Sequence, residues 1–292
     1  MKETAETVQP YWVNRMPMNP NDLTLVCDLV RRKSGIDLDS AKEYLVEARL
    51  TPLARKLGLA SSADVIQKLK MRDAVVERDV VDAMTTNETS FFRDVTPFDA
   101  LKKTVIPDLL VKRAAERRLS IWCAASSTGQ EPYTIAMLLL ENFPQLATWN
   151  LTFVASDLSR DVLKKAKAGK FSQLEINRGL PATMMVKYFR KQGLEWEIDA
   201  KLRNMIDFRE VNLLETWPSM PPLDLVFIRN VLIYFTQDTK RQILGRIRQM
   251  LRPDAYLFLG VAETTMNIDD QFVRGQHEKS GCYQLKSLQK AA

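Results

Sequence analysis

Glu131 and Asp157 are the two carboxylates whose placement could do chemistry. Glu131 lies in the stretch Ile121-Trp-Cys-Ala-Ala-Ser-Ser-Thr-Gly-Gln-Glu-Pro-Tyr-Thr-Ile-Ala136. Ser120 to Ala125 reads as a buried strand and Ser126 to Gly129 as a small-residue turn. Helical apolar spacing resumes after Glu131-Pro132 with Ile135, Leu138 and Leu139. Pro132 suits a first helical turn, where its missing N–H costs nothing. A strand, a tight turn and a helix N-terminus make a cradle for a ligand that approaches the backbone. A phosphate does not suit this cradle. The G-x-G-x-x-G and Gly-Lys-Ser/Thr patterns are both missing, and Glu131 would repel an anion. A carboxylate at the helix start fits a ligand with a positive end. Asp157 ends the next apolar run, 28 residues beyond Gly129, where ribose hydroxyls would be held. Its rival role is to cap the helix beginning at Leu158-Ser159; beside Glu131 the ligand role is preferred.

The elements that must position these acids alternate. Leu151 to Asp157, Ile206 to Val211, Leu223 to Ile228 and Tyr256 to Gly260 read as strands, with Cys282 to Leu285 closing. Between them a helix runs from a Ser159 cap to Gly169. Another, capped by Thr236, carries Ile243, Ile247, Met250 and Leu251. This rhythm predicts an α/β fold with an open, mostly parallel sheet, helices on both faces and ligands at the strand C-terminal ends. The turn at Ser126, Asp157, Asn212 and Asn230 all fall at such ends. Lys187 to Lys191, Gly193 and the alternating Leu194 to Ile198 break the rhythm and predict a small inserted antiparallel hairpin.

Ahead of the sheet, residues 1–19 are polar and read as a flexible tail. Asp22 to about Ala83 is all helical: a stripe of Leu23, Val26, Leu29 and Val30 closed by Gly35, and a second of Tyr44, Leu45 and Ala48. A separate helix then opens at Pro52, and another starts at Ser61-Ser62-Ala-Asp. Such short helices form no catalytic fold alone and suggest a recognition domain. Thr85 to Asp94 joins the halves. Its adjacent Phe91 and Phe92 could dock a hinge, yet the neighbouring Arg93 is unusual in a plain linker. Phe98 to Arg118 reads as an amphipathic helix leading into the first strand.

Composition sets limits. The 292 residues suffice for two domains, and 46% apolar with 27% charged residues is ordinary for a globular chain. Residues 1–85 carry 13 basic and 13 acidic side chains, so the net +6 lies beyond them. That surplus suits an acidic partner but is no clustered nucleic-acid footprint. Cys27, Cys123 and Cys282 are far apart and unpatterned, so we expect reduced thiols in a cytoplasmic protein, with neither disulfide nor metal site. A signal peptide and a membrane-length apolar run are both lacking from the sequence, so membrane association would come through a partner.

Four motifs stand in order: Thr86-Asn-Glu-Thr-Ser-Phe-Phe-Arg93, Ala125-Ser-Ser-Thr-Gly-Gln-Glu-Pro-Tyr133, Asn212-Leu-Leu and Arg229-Asn-Val-Leu-Ile-Tyr-Phe235. Together, over about Asp22 to Leu285, the chain resembles the chemotaxis receptor glutamate methyltransferases (CheR family). The resemblance implies a Rossmann-like class I methyltransferase domain at 86–292 with an inserted antiparallel β subdomain at about 171–205. It also implies an all-α receptor-docking domain at 20–85. S-adenosylmethionine is the implied cofactor, with S-adenosylhomocysteine the product and no metal. The implied cofactor positions are Asn87, Thr89, Arg93, Glu131, Asp157, Asn212, Leu213, Asn230 and Val231. Glu131 would meet the methionyl ammonium or its surroundings, Asp157 the ribose, and Asn212-Leu213 the adenine edge. Arg93 and Tyr234 would lie near the transferred methyl. Arg49, Arg55 and nearby Lys56 would face the acidic cytoplasmic helical bundle of a chemoreceptor; a solvated helix face is the rival reading.

The implied chemistry suits a chain with one histidine. A sulfonium methyl is already activated and a glutamate carboxylate, with its usual pKa of about 4.3, is already ionised, so no general base is required. The work is alignment, with reacting atoms roughly 3–3.5 Å apart, and exclusion of water. Three departures from the family pattern stand out. Gly129-Gln130-Glu131-Pro132 replaces Gly-Glu-Glu-Pro, Gly260-Val-Ala-Glu263 replaces a His-Ser-Glu ending, and His277, lying elsewhere, reads as structural. The hairpin between Phe189 and Trp196 lacks a long Gly-rich loop, which implies independence from a receptor C-terminal pentapeptide. Alternatives are a methyltransferase for a small carboxylate, a cofactor-sensing scaffold without catalysis, and, for want of the glycine triplet, least of all a nicotinamide oxidoreductase.

Overall fold

The computed structural model describes residues 18–38, 43–275 and 279–286. Most of the expected N-terminal tail and His277 lie outside the described residues. Two compact units are present: residues up to Arg31 with Leu38–Met84, and Arg32–Asp37 with Thr85 onward.

The smaller unit is helical: α1 (Pro20–Ser34, its last turn belonging to the larger unit), α2 (Glu43–Lys56), α3 (Ser62–Lys70) and α4 (Ala74–Met84). Ser61 caps α3 by accepting from the Asp64 N–H, and Asp64 accepts in return from the Ser61 N–H at 2.9 Å. The sequence reading split α2 at Pro52, whereas α2 is one helix with Pro52 inside. Its buried stripe is Val46, Leu50, Leu53 and Ala54, and Tyr44 and Ala48 point outward. An interior proline costs about 3 kcal/mol. Burying four apolar side chains along one uninterrupted face exceeds that.

In the larger unit, helix α5 (Val95–Ala100), a π turn (Leu101–Val105) and α6 (Ile106–Lys112) precede strand β1 (Arg118–Ala124). The helix therefore starts earlier and stops earlier than its periodicity predicts. Pro107 lacks the N–H that an α-helix would aim at the Lys103 carbonyl, and the π turn absorbs the mismatch. Next come α7 (Gln130–Asn142), β2 (Asn150–Asp157), α8 (Arg160–Ala168), β3 (Lys170–Ser172), α9 (Gln173–Asn177), α10 (Ala182–Tyr188), β4 (Phe189–Gln192) and β5 (Glu195–Ile198). The chain finishes with α11 (Ala200–Arg203), β6 (Asp207–Glu210), β7 (Leu223–Ile228), α12 (Gln237–Met250), β8 (Leu251–Leu259), β9 (Phe272–Arg274) and β10 (Cys282–Leu285).

Seven strands form the main sheet in the order β6-β2-β1-β7-β8-β10-β9. Neighbours from β6 to β8 pair in parallel, and β10 pairs antiparallel with β8 and β9. β1 is sandwiched between β2 and β7, in register Ile121 to Phe153 and Ile121 to Leu225. Its last six residues and all of β7 are buried, as a parallel sheet covered on both faces demands.

The insertion is a second, antiparallel sheet in the order β3-β5-β4. The sequence predicted a two-stranded hairpin; Lys170–Ser172 adds a third strand opposite Glu195–Glu197. A three-residue strand is too short to show alternation. Phe171, Phe189 and the leader residue Phe91 meet edge to face, with Phe91 5.1 Å and 5.6 Å from the two others. Phe91 is fully buried, so the aromatic pair ahead of Arg93 is a docking device.

At the amino ends of the strands, buried Asp224 accepts from the Ser120 N–H at 2.8 Å and pairs with Arg113 at 2.7 Å. Arg113 also forks onto Asp254, which it holds below the usual carboxylate range. Arg113→Ala would leave Asp224 buried with its main partner gone, a loss of about 3–5 kcal/mol in urea unfolding. A loss under about 1 kcal/mol would mean that Arg252, 3.4 Å from Asp224, replaces it.

Candidate active site

Asn87, Thr89, Arg93, Glu131, Asp157, Asn212, Leu213, Asn230, Val231 and Tyr234 line one cleft. Its base is the carboxyl end of β1, where the neighbours β2 and β7 lead the chain apart.

The β1–α7 turn folds tightly around this base. Ala125 (φ 53°), Ser127 (φ 49°) and Gly129 (φ 96°) are all left-handed, a conformation that non-glycine residues hold only when their surroundings impose it. Asp157 imposes part of it. One carboxylate oxygen accepts from the Ser127 N–H at 2.8 Å and the other from the Ser159 N–H at 3.0 Å. Asp157 thus anchors the turn and the start of α8 together, so its capping role is real and does not use up its lone pairs. Burial pushes its carboxyl above the usual range, although backbone donors pull the other way. Ser126 Oγ, also lining the cleft, is buried without a partner among the described residues.

Glu131 does not stand alone. One oxygen pairs with the Arg229 guanidinium, and the other accepts from the Cys123 thiol at 3.4 Å. Burial, reinforced by the Glu131 charge, pushes that thiol up and keeps it a neutral donor. Arg229 also pairs with Asp94 at 2.9 Å, so one cation lies between two carboxylates. Arg229 stands within a motif quoted above, yet nothing in its spacing marks a charge that reaches back 98 residues.

A second residue missed by sequence reasoning is the acid Glu263, in the departing Gly260-Val-Ala-Glu segment. Its buried carboxylate accepts four backbone N–H groups: Asn230 at 2.8 Å, Val231 at 2.9 Å, Ile233 at 3.3 Å and Gly260 at 2.6 Å. Asn230 is left-handed (φ 57°), and Glu263 holds it there. A Cβ at Gly260 would fall 2.8 Å from Glu263 Oε2, so the clamp needs glycine.

The leader and a returning segment complete the walls. The Asn87 carbonyl accepts from Ser127 Oγ at 2.8 Å, and Arg93 donates to the Glu88 carbonyl at 3.0 Å. Ser34 and Ile36 line the cleft as well, which sequence reading had placed within the helical block. The Asp37 N–H donates to the Tyr234 carbonyl at 2.8 Å, fixing Tyr234 at the rim. The Asn212 amide is engaged with backbone, giving to Lys33 at 2.6 Å and accepting from Leu214 at 3.0 Å. It therefore supports the wall, and buried Leu213 provides its apolar face.

The remaining candidates lie in the smaller unit. The Arg49 guanidinium donates to the Met84 carbonyl at the end of α4, a helix-terminal bond. Arg55 and Lys56 are exposed in the last turn of α2.

Comparison with known proteins decides the family. Residues 87–280 match the family described as CheR methyltransferase, SAM binding domain, and residues 21–85 match CheR methyltransferase, all-alpha domain. The chain belongs to the CheR methyltransferase family. It is 40% identical over 270 residues to chemotaxis protein methyltransferase 1 of Pseudomonas aeruginosa, covering 91% of this chain and 98% of that one. Identity to chemotaxis protein methyltransferase Cher2 of Pseudomonas putida is 39% over 263 residues, covering 88% and 95%. Identity to the chemotaxis protein methyltransferase of Salmonella typhimurium is 33% over 270 residues, covering 90% of each chain.

This CheR-family chain is accordingly an S-adenosylmethionine-dependent methyltransferase, and its cleft fits that cofactor. Two carboxylates suit a ligand carrying hydroxyl donors and positive charge, Leu158, Val211 and Leu213 offer an apolar wall, and the unpartnered Ser126 Oγ offers a further polar contact. Among the described residues no group of three or more His, Cys, Asp or Glu could hold a metal ion.

Asp157→Ala is expected to abolish S-adenosylhomocysteine binding in calorimetry while circular dichroism stays unchanged; unaltered affinity would reduce Asp157 to its turn-holding role. Hydroxyl donors need the ionised carboxylate, and its pKa is raised. Wild-type affinity should then weaken as pH falls through a value above the usual carboxylate range.

Proposed function

We propose that this chain transfers a methyl group from S-adenosylmethionine to glutamate side-chain carboxylates of chemoreceptors, forming methyl esters for chemotactic adaptation. The observation that carries this reading is the convergence of nine motif positions and Asp157 on one cleft. In it, Asp157 holds the ribose and Leu213, backed by Asn212, edges the adenine. Asn87, Thr89, Asn230 and Val231 complete the walls, and Glu131, held by Arg229, faces the methionyl ammonium.

S-adenosylmethionine supplies a methyl carbon already activated by positive sulfur. The incoming carboxylate is ionised at neutral pH, so the side chains have no proton to remove. Arg93 orients that carboxylate from the rim, and Tyr234 borders the reacting groups. Pairing by Arg93 must stay loose, because a tightly held carboxylate is a duller nucleophile. For this reason we assign Arg93 to positioning.

The proposed partner is the acidic cytoplasmic helical bundle of a chemoreceptor, a reading supported by the chemotaxis names of the relatives. Residues 20–85 would be the docking domain. Arg55 and Lys56 would face the receptor; Arg49, whose guanidinium holds α4, would contribute chiefly by shaping that face. No helix among the described residues is long and apolar enough to cross a membrane. We place the protein in the cytoplasm, drawn to membranes by its receptor. A two-residue turn, Gly193-Leu194, joins β4 to β5, which supports pentapeptide independence.

The direct test is transfer of labelled methyl to a purified chemoreceptor cytoplasmic fragment, followed by mild base. Release of labelled methanol is expected, and a base-stable product would overturn the glutamate assignment. In the same assay Arg55→Glu with Lys56→Glu should lower transfer while cofactor affinity holds. The free pentapeptide should give no heat of binding; a tight complex would refute the independence.

A further inference from the structure

We propose that Arg229 is a positioning residue for methyl transfer, locking the backbone that carries Arg93 to the floor of the cleft. The proposal deepens the methyltransferase reading above and rests on it.

The leader enters α5 through an awkward backbone. Phe92 (φ 49°) and Asp94 (φ 57°) are both left-handed and flank Arg93. Two such residues cost free energy and persist only when their surroundings hold them. The Phe92 N–H donates to Thr134 Oγ1 at 3.2 Å. The other grips come from Arg229, which donates to the Arg93 carbonyl at 3.1 Å and to the Asp94 carboxylate at 2.9 Å. The same guanidinium pairs with Glu131, fixing its own place against the start of α7. Its carbon lies 5.6 Å from the centre of the Phe98 ring, and its side chain is 1% exposed.

A planar guanidinium fork can serve these separate acceptors at once, and a lysine ammonium cannot keep that geometry. With the lock gone, the leader can relax out of its left-handed pair and carry the Arg93 side chain from the rim. Misplacement by about 1 Å can cost about 100-fold in rate. Arg229 thereby acts through Arg93 and need touch neither the substrate nor the transferred methyl.

The test compares Arg229→Lys with wild type by hydrogen–deuterium exchange, S-adenosylhomocysteine calorimetry and receptor-methylation kinetics. Backbone amides of residues 87–93 are expected to exchange about tenfold faster or more. The expected kcat falls about 10- to 100-fold, while the cofactor dissociation constant moves less than about threefold. In an Arg93→Ala background Arg229→Lys should add less than about twofold, since both act through one side chain. Unchanged leader exchange, or multiplying effects of the two substitutions, would overturn the proposal. Asp94→Ala keeps the Glu131–Arg229 pair and removes the leader's anchor, so it tests the same exchange if Arg229→Lys does not fold; unchanged exchange there also counts against the lock. Failure of the glutamate reading is separately visible, as a wild-type chain that binds S-adenosylhomocysteine yet methylates no receptor carboxylate.

Discussion

Strand β1 pairs with β2 on one side and β7 on the other, and the chain leaving these strands must diverge at their carboxyl ends. Everything in the cleft follows from that divergence. Three connections, after Ala124, Asp157 and Ile228, each have to turn sharply without covering the gap. Each does so through polar groups that grip the backbone instead of through regular secondary structure. Asp157 grips the first two turns and Glu263 grips the third. Buried carboxylates suit this work because each offers several acceptor sites and charge-assisted bonds to N–H groups are strong. Four donors on Glu263 compensate the desolvation that a buried acid otherwise suffers.

Legibility in the sequence follows the range of the interaction. The strand–turn–helix corner around Gly129 is local, so apolar runs and one proline revealed it, and with it Glu131. Asp157 was readable because an acid at the end of a parallel strand has a fixed place in such sheets. Asn87, Thr89 and Val231 had no signal of their own and entered only through the family motifs, whereas the α/β rhythm placed Asn212 and Asn230 at strand ends and the motifs alone gave them a role. Glu263 and Arg229 went unread for another reason. Their importance lies in backbone groups and carboxylates 33 and 98 residues away, which no spacing rule encodes. Errors in the elements have equally physical causes. Pro52 signals a break that core packing overrides, Pro107 is accommodated by a π turn, and β3 and β9 are too short to show alternation.

Ser34 and Ile36 show how position along the chain misleads. Ser34 ends the first helix and Ile36 follows it, and by sequence both belong to the helical block, yet Arg32–Asp37 is part of the larger unit. Ile36 bridges Phe235 and the Lys33 carbonyl accepts from Asn212, so this short segment walls the cleft beside Tyr234. A hydrophobic stripe reports that a residue is buried; it does not report against what.

On the glutamate reading proposed above, the charges in the cleft address a conflict inherent in methylating a carboxylate. A cationic cofactor wants acids nearby, whereas an anionic substrate is repelled by them. In this cleft Glu131 is compensated by Arg229, and Glu88 by Arg178, which holds the Glu88 carboxyl below its usual range. Asp157, the remaining acid of the lining, lies deep at the strand ends and is buried. Arg93 bonds a neutral carbonyl and so keeps its positive charge uncompensated by that contact. The negative charge is therefore either buried or paired, and a cation stands half-exposed at the rim. At an effective dielectric constant of about 20, a charge 4 Å away contributes about 4 kcal/mol, enough for this segregation to decide which ion settles where. The same segregation explains why Arg229 belongs under the cleft and not at its mouth. At the mouth it would hold the substrate carboxylate as a second partner and dull it; beneath the floor it neutralises Glu131 and leaves the incoming oxygen free.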